Sequence, residues 1–212
     1  MSITKLDFAA PFFDVEYIED EKSVNVGSKS IVINIAPKGD AINISMGTRL
    51  SPMRSAIVVN TSLYNIDRAL IVKDYTRYDI SNPLTREQTK RHWLSLWEFS
   101  HLERDRTVPY WKTPQAKVGG DTTMNFCFAS EGTPSAMHKN HPVPFDETHL
   151  QIAGLGKVQM FSENDESTLY QEYMLCPGAT HDGICSAAGE YPWHRYCSIT
   201  NAVFVVIEIQ KS

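Results

Sequence analysis

The stretch from His138 to Gly156 constrains the chain more than any other. It holds His138, His141 and His149, three of the seven histidines, with Glu147 between the last two. Neutral imidazole nitrogens and a carboxylate oxygen suit a first-row divalent ion. From Thr148 the pattern turns β-like through His149, Leu150, Gln151 and Ile152, and closes on the turn Gly154-Leu155-Gly156. Residues i and i+2 of a strand share a face, so Glu147 and His149 should point the same way. A carboxylate buried there with neither a metal nor a partner would be costly, which favours a functional role for it.

The flanking sequence supplies the rest of a β framework. Ile31, Ile33 and Ile35 alternate with Val32 and Asn34, and further short runs follow over 41–46, 56–60 and 69–75. Short strands with polar turns argue for antiparallel β architecture. Residues 1–24 read as a leading segment packed on the body. The spacing of Trp93, Leu94, Leu96, Trp97 and Leu102 predicts one amphipathic helix over 83–106, opened by a capping box at Thr85-Arg86-Glu87-Gln88 after Pro83. His92 and His101 on that helix lack metal-ligand spacing and read as structural. Residues 107–123, with two prolines and Gly119-Gly120, read as a connector. Strands are then expected over 124–129, 157–161 and 169–176. Ala202 to Ile209 is a final run whose near-continuous apolar character fits a strand covered on both faces.

Two late histidines complete the set. His181 follows the turn Cys176-Pro177-Gly178, and His194 follows Tyr191-Pro192-Trp193. No histidine precedes residue 92, so the N-terminal half can offer strands but no imidazole ligand.

A length of 212 residues suits one unit of generous size, or a core domain with an N-terminal elaboration. A net charge of -5 without a basic cluster argues against nucleic acid or anionic membrane as partners. The N-terminus lacks the apolar run of a secretory leader, and no apolar stretch is long enough to span a bilayer. The four cysteines, without Cys-x-x-Cys spacing, then read as reduced thiols in a cytoplasmic protein. Cys176 and Cys185 flank His181, which leaves a thiol near the metal as an alternative.

The histidine cluster followed by Glu147, six residues and Gly154 resembles the first signature motif of the cupin superfamily. In that motif a His-x-His pair precedes the glutamate, whereas His138 and His141 here are three apart. Cys176-Pro177-Gly178-Ala179-Thr180-His181 resembles the second motif, Pro-x-Gly-x-x-His, shortened by one residue. The resemblance covers roughly residues 115 to 210. It implies a mainly β fold: an antiparallel cupin-like jelly-roll barrel over 113–212, with a β segment and helix over 1–112 packed against it. It also implies a divalent first-row metal, iron first and Mn, Ni or Zn after it, held by His138, His141, Glu147 and His181. His149 and His194 are then the acid–base candidates, and Arg195 and Tyr173 the substrate-binding ones. The Pro-Gly turn favours His181 as the late ligand, while its distance to the last strand favours His194, and both stay open.

The activity implied is a metal-dependent reaction on a small organic molecule, with a mononuclear non-haem iron dioxygenase leading. Cupin isomerases, lyases and decarboxylases are the alternatives. A non-catalytic small-ligand-binding barrel and a metal-free epimerase type with a histidine base stand beside them. A homodimer is expected by the same resemblance.

Overall fold

Strand-forming residues recur along nearly the whole chain, and the computed structural model folds them into three antiparallel sheets. It describes residues 2–37, 41–95, 110–139, 141, 144–186 and 189–211. Seven strands form the first sheet: β1 (Ser2–Leu6), β2 (Asp14–Val26), β3 (Ser30–Asn34), β4 (Ile42–Ile44), β5 (Thr48–Leu50), β6 (Ser55–Val58) and β7 (Thr61–Lys73). Their order is β1-β2-β7-β3-β6, with β4 joining β7 and β5. The leading segment is therefore more than a packed arm. β2 pairs with β7 along most of its 13 residues, from Asp14 opposite Lys73 to Val26 opposite Thr61. Its charged positions, Glu16, Glu19 and Glu21 among them, mask the alternation in the sequence.

The helix α1 (Pro83–His92) follows. It is shorter than expected and differently capped. Asn82, not Thr85, is the cap, its side-chain oxygen accepting from the Leu84 N–H at 2.9 Å, and Pro83 occupies the first turn. The helix stops because Trp93 turns extended and enters the core, where its ring meets Phe12, Phe13 and Phe126. Leu96, Trp97, His101, Leu102 and the remainder of the expected helix to residue 106 lie outside the described residues. His92 is exposed and its Nδ1 bonds the Gln88 carbonyl.

The remaining strands are β8 (Leu94–Ser95), β9 (Tyr110–Lys112), β10 (Ala116–Val118), β11 (Thr122–Ala129), β12 (Phe145–Ala153), β13 (Gly156–Phe161), β14 (Leu169–Leu175), β15 (Trp193–Ser198) and β16 (Ala202–Gln210). The second sheet runs β12-β16-β11-β9-β8 with β10 beside β11, and the third runs β14-β13-β15. The connector over 107–123 thus contributes β9 and β10, which its prolines conceal.

The strand β16 shows how the layers stack. Val203, Val205, Ile207 and Ile209 pack with Ile31, Ile33, Leu70 and Val72 of the first sheet. Phe204, on the opposite face, packs with Val158, Leu175 and Tyr196 of the third sheet. The second sheet is the middle layer, buried on both sides, as its apolar run requires. A separate cluster, including Ile18, Val32, Leu63 and Ile71, fills the far face of the first sheet. No helix among the described residues is long and apolar enough to cross a membrane.

Candidate metal centre

The strand β12 alternates in the way its sequence demands. Leu150 and Ile152 enter the core shared with the first sheet. Glu147, His149 and Gln151 stand opposite Glu208, Val206 and Phe204 of β16, on the face turned to the third sheet. Gly154 ends the strand at φ +70°, and a Cβ there would overlap the Asn201 carbonyl, so the turn accepts only glycine.

From the third sheet, β15 places His194 opposite Met160 of β13. Segment 133–138 runs along the outer edge of β15. The His138 N–H donates to the His194 carbonyl at 3.0 Å, and the His194 N–H to the His138 carbonyl at 2.9 Å. This pairing brings the two rings to 4.3 Å between centroids. The ring of His141 lies 5.3 Å from that of His194, nearly parallel to it.

His138, His141, Glu147 and His194 therefore converge, each offering one ligand atom within 4.8 Å of the others. Glu147 and His194 are buried; His138 and His141 are half-buried. The Nδ1 atoms of His138 and His194 are held by the carbonyls of Ala136 at 3.0 Å and Pro192 at 2.9 Å. A carbonyl only accepts, so each Nδ1 carries the proton and each Nε2 keeps a lone pair facing the cluster. The Nε2 atoms of His141 and His194 are buried with no hydrogen-bond partner. Orphaned buried nitrogens are uncommon and costly, and a cation among them would satisfy both. The donor set, three imidazoles and a carboxylate, fits a first-row metal ion.

Burial pushes the Glu147 carboxyl up to about 8, with the Glu208 carboxylate adding to the rise and Lys112 opposing it. Burial, with the neighbouring imidazoles adding to it, lowers His141 to about 4 and His194 to about 3. His141 and His194 are thus neutral near pH 7, the state that ligates.

His181 occupies a different place from the one its motif suggests. Segment 176–183 zips along the edge of β12, with the Gln151 N–H donating to the Ala179 carbonyl at 3.0 Å and the Gly178 N–H to the Gln151 carbonyl at 2.8 Å. The first sheet holds this segment from behind. Ser55 Oγ donates to the Gly178 carbonyl at 2.6 Å, and Arg54 pairs with Asp182 at 2.6 Å. His181 then sits beside His149 rather than among the four converging groups. Its Nδ1–H donates to the Asp182 carbonyl at 2.6 Å. Its Nε2 accepts from the His149 backbone N–H at 3.0 Å and the His149 Nδ1–H at 2.9 Å. His149 Nε2 faces Glu147 Oε1 at 3.4 Å. His181, His149 and His194 are thus linked through Glu147 in one chain, His181–His149–Glu147–His194.

Arg195 alternates with His194 and Tyr196 on β15 and so faces away from the cluster. Its Nε donates to Gln159 Oε1 at 2.8 Å and its guanidinium pairs with Glu166. Its guanidinium therefore does not reach the four converging groups. Tyr173 faces the site and stacks on His181 with centroids 5.6 Å apart. All four cysteines are unpaired, and none joins the converging set. Sequence reasoning passed over Glu208, which stands beside Glu147. The signal for it was the lone acid within the apolar run of β16.

No protein-family model matches the chain, and no curated protein matches it. Solved structures do. A cupin 2 conserved barrel domain protein from Leptotrichia buccalis is 11% identical over 99% of this chain and 88% of its own, with a TM-score of 0.37. KdgF from Halomonas sp. is 11% identical over 51% of this chain and 87% of its own, with a TM-score of 0.37. A recombinant oxalate oxidase in complex with glycolate is 18% identical over 49% of this chain and 52% of its own, with a TM-score of 0.34. TM-scores this low carry no argument on family or activity. The cupin reading rests on Glu147 and Gly154 at motif spacing, the antiparallel sheets, and the His/Glu cluster between them.

Proposed function

We propose that the protein is a mononuclear metalloenzyme of cupin type acting on a small organic molecule, as a non-haem iron dioxygenase. The observation that carries the proposal is the pair of buried, partnerless Nε2 atoms on His141 and His194, beside His138 and Glu147. Mixed histidine and carboxylate ligation favours Fe(II), with Mn, Ni and Zn behind it. An iron ion held by these four residues would supply dioxygen activation and Lewis acidity toward a bound substrate.

The chain's own residues do the rest. The carbonyls of Ala136 and Pro192 fix the ring orientation of His138 and His194. With Glu147 ionised as a ligand, His149 Nε2, 3.4 Å from Glu147 Oε1, can take up a substrate proton and donate it toward that carboxylate, and His181 Nε2 holds the His149 ring in place through the Nδ1–H. The same His149–His181 pair favours a second reading, an isomerase or lyase in which a proton moves beside a Lewis-acidic ion without redox change.

Metal analysis of protein never exposed to chelator tests the proposal. About one first-row metal ion per chain is expected, and His194→Ala should cut that content severalfold. Absence of metal, or full occupancy in the variant, refutes the site. Oxygen uptake on a substrate panel separates the dioxygenase from the isomerase reading.

A further inference from the structure

Beside the histidine chain lies an open cavity of about 480 Å³ between β13, β14 and the residues Gly183, Ile184, Ser186 and Glu190 to Pro192. That volume suits a molecule of one or two rings. Its position ties it to the centre. Tyr191 of the lining lies 4.3 Å from the His141 ring, Tyr173 stacks on His181, and Met160 stands opposite His194.

Tyr170, Tyr173 and Tyr191 line this cavity together with Met160, Ile184 and the polar residues Ser162, Gln171 and Ser186. Among the described lining residues none is cationic, and Glu190 is the only acid. Cations nearby are committed elsewhere. Arg195 holds Gln159 and Glu166 while lying over the Phe161 ring, and Lys211 holds Asp146 and the carbonyls of Cys185 and Ser186. The ring of Tyr191 is fixed in advance. Its hydroxyl donates to the Phe145 carbonyl at 2.5 Å and accepts from the Phe145 N–H at 2.6 Å, so the ring face needs no ordering on binding.

We infer that this cavity receives an uncharged aromatic ring, and that carboxylates and phosphates are excluded from it. Rings stack on rings. An anion would meet a wall whose described residues include no cation and one carboxylate. The inference names the substrate class for the centre proposed above and rests on that reading for its catalytic meaning. The binding preference itself belongs to the cavity.

The matched probes 2-naphthol and 2-naphthoate test it, one neutral and one anionic at pH 7 and of similar size. Both are titrated by fluorescence against protein as purified and against chelator-treated protein, with metal content measured in each. Naphthol should bind at least about tenfold more tightly than naphthoate in both preparations. Tyr170→Ala, at a half-exposed position that leaves folding intact, should weaken naphthol severalfold, and Glu190→Lys should narrow the gap by admitting naphthoate. Equal or tighter binding of naphthoate by chelator-treated protein, or naphthol binding indifferent to Tyr170→Ala, overturns the inference. Such a result beside normal metal content leaves the centre standing. Intact naphthol selectivity in a protein that never carries metal sinks the centre and leaves the cavity.

Discussion

Replacing Glu147 by glutamine should stabilise the metal-free protein at alkaline pH, although it removes one of the four converging carboxylate and imidazole groups. The carboxyl titrates at 4.5 when free and at about 8 when buried in the folded chain. The folded state therefore binds the extra proton between those values, and stability falls as pH rises through that window. Each unit is worth about 1.4 kcal/mol, so the metal-free wild type should lose about 4 kcal/mol between pH 4.5 and 8 on this account. Glutamine keeps the shape and cannot ionise. The neutral histidines titrate alike in both proteins and cancel in the comparison. Urea unfolding of chelator-treated wild type and Glu147→Gln at pH 5 and pH 8 measures the difference directly. Near-equality at pH 5 with a clear excess for the variant at pH 8 is expected. A variant less stable at both values, or a difference that ignores pH, refutes the burial-driven shift. Added metal should reverse the order, since a cation beside the carboxylate offsets its desolvation only in the wild type.

Gly178→Ala should cost roughly 1–3 kcal/mol in thermal or urea unfolding, because the residue sits at φ +85° and a Cβ would press into Ile57 of β6. A neutral result would show that the turn does not seat on the first sheet. Arg195→Ala should leave metal content unchanged, since its side chain lies on the far face of β15 from His194. Loss of metal in that variant would contradict the alternation.

Much of the site could be read in the chain because its geometry is local. Glu147 and His149 share a face through strand period alone, and the apolar run of β16 carries its two-sided burial in its composition. The features missed depend on distant partners. Charged residues hid β2, whose pairing with β7 is long-range. Prolines hid β9 and β10. The expected helix breaks at Trp93 because an aromatic cluster drawn from Phe12, Phe13 and Phe126 takes that ring, and no spacing within 83–106 records such a pull.

The choice between His181 and His194 has the same origin. The turn Cys176-Pro177-Gly178 is one residue shorter than the pattern it resembles, and its backbone is paired to Gln151 on one side while Ser55 and Arg54 hold the segment on the other. Three residues after Gly178, the chain has advanced along β12 only as far as His149, so the His181 imidazole reaches His149 and stops short of the four converging groups. His194 has no such constraint. It lies on a strand whose alternation turns it inward, and its Nδ1–H is anchored two residues back at Pro192. The shortened turn and the inward strand together separate the two late histidines: His194 faces the converging groups, and His181 holds the ring that touches Glu147.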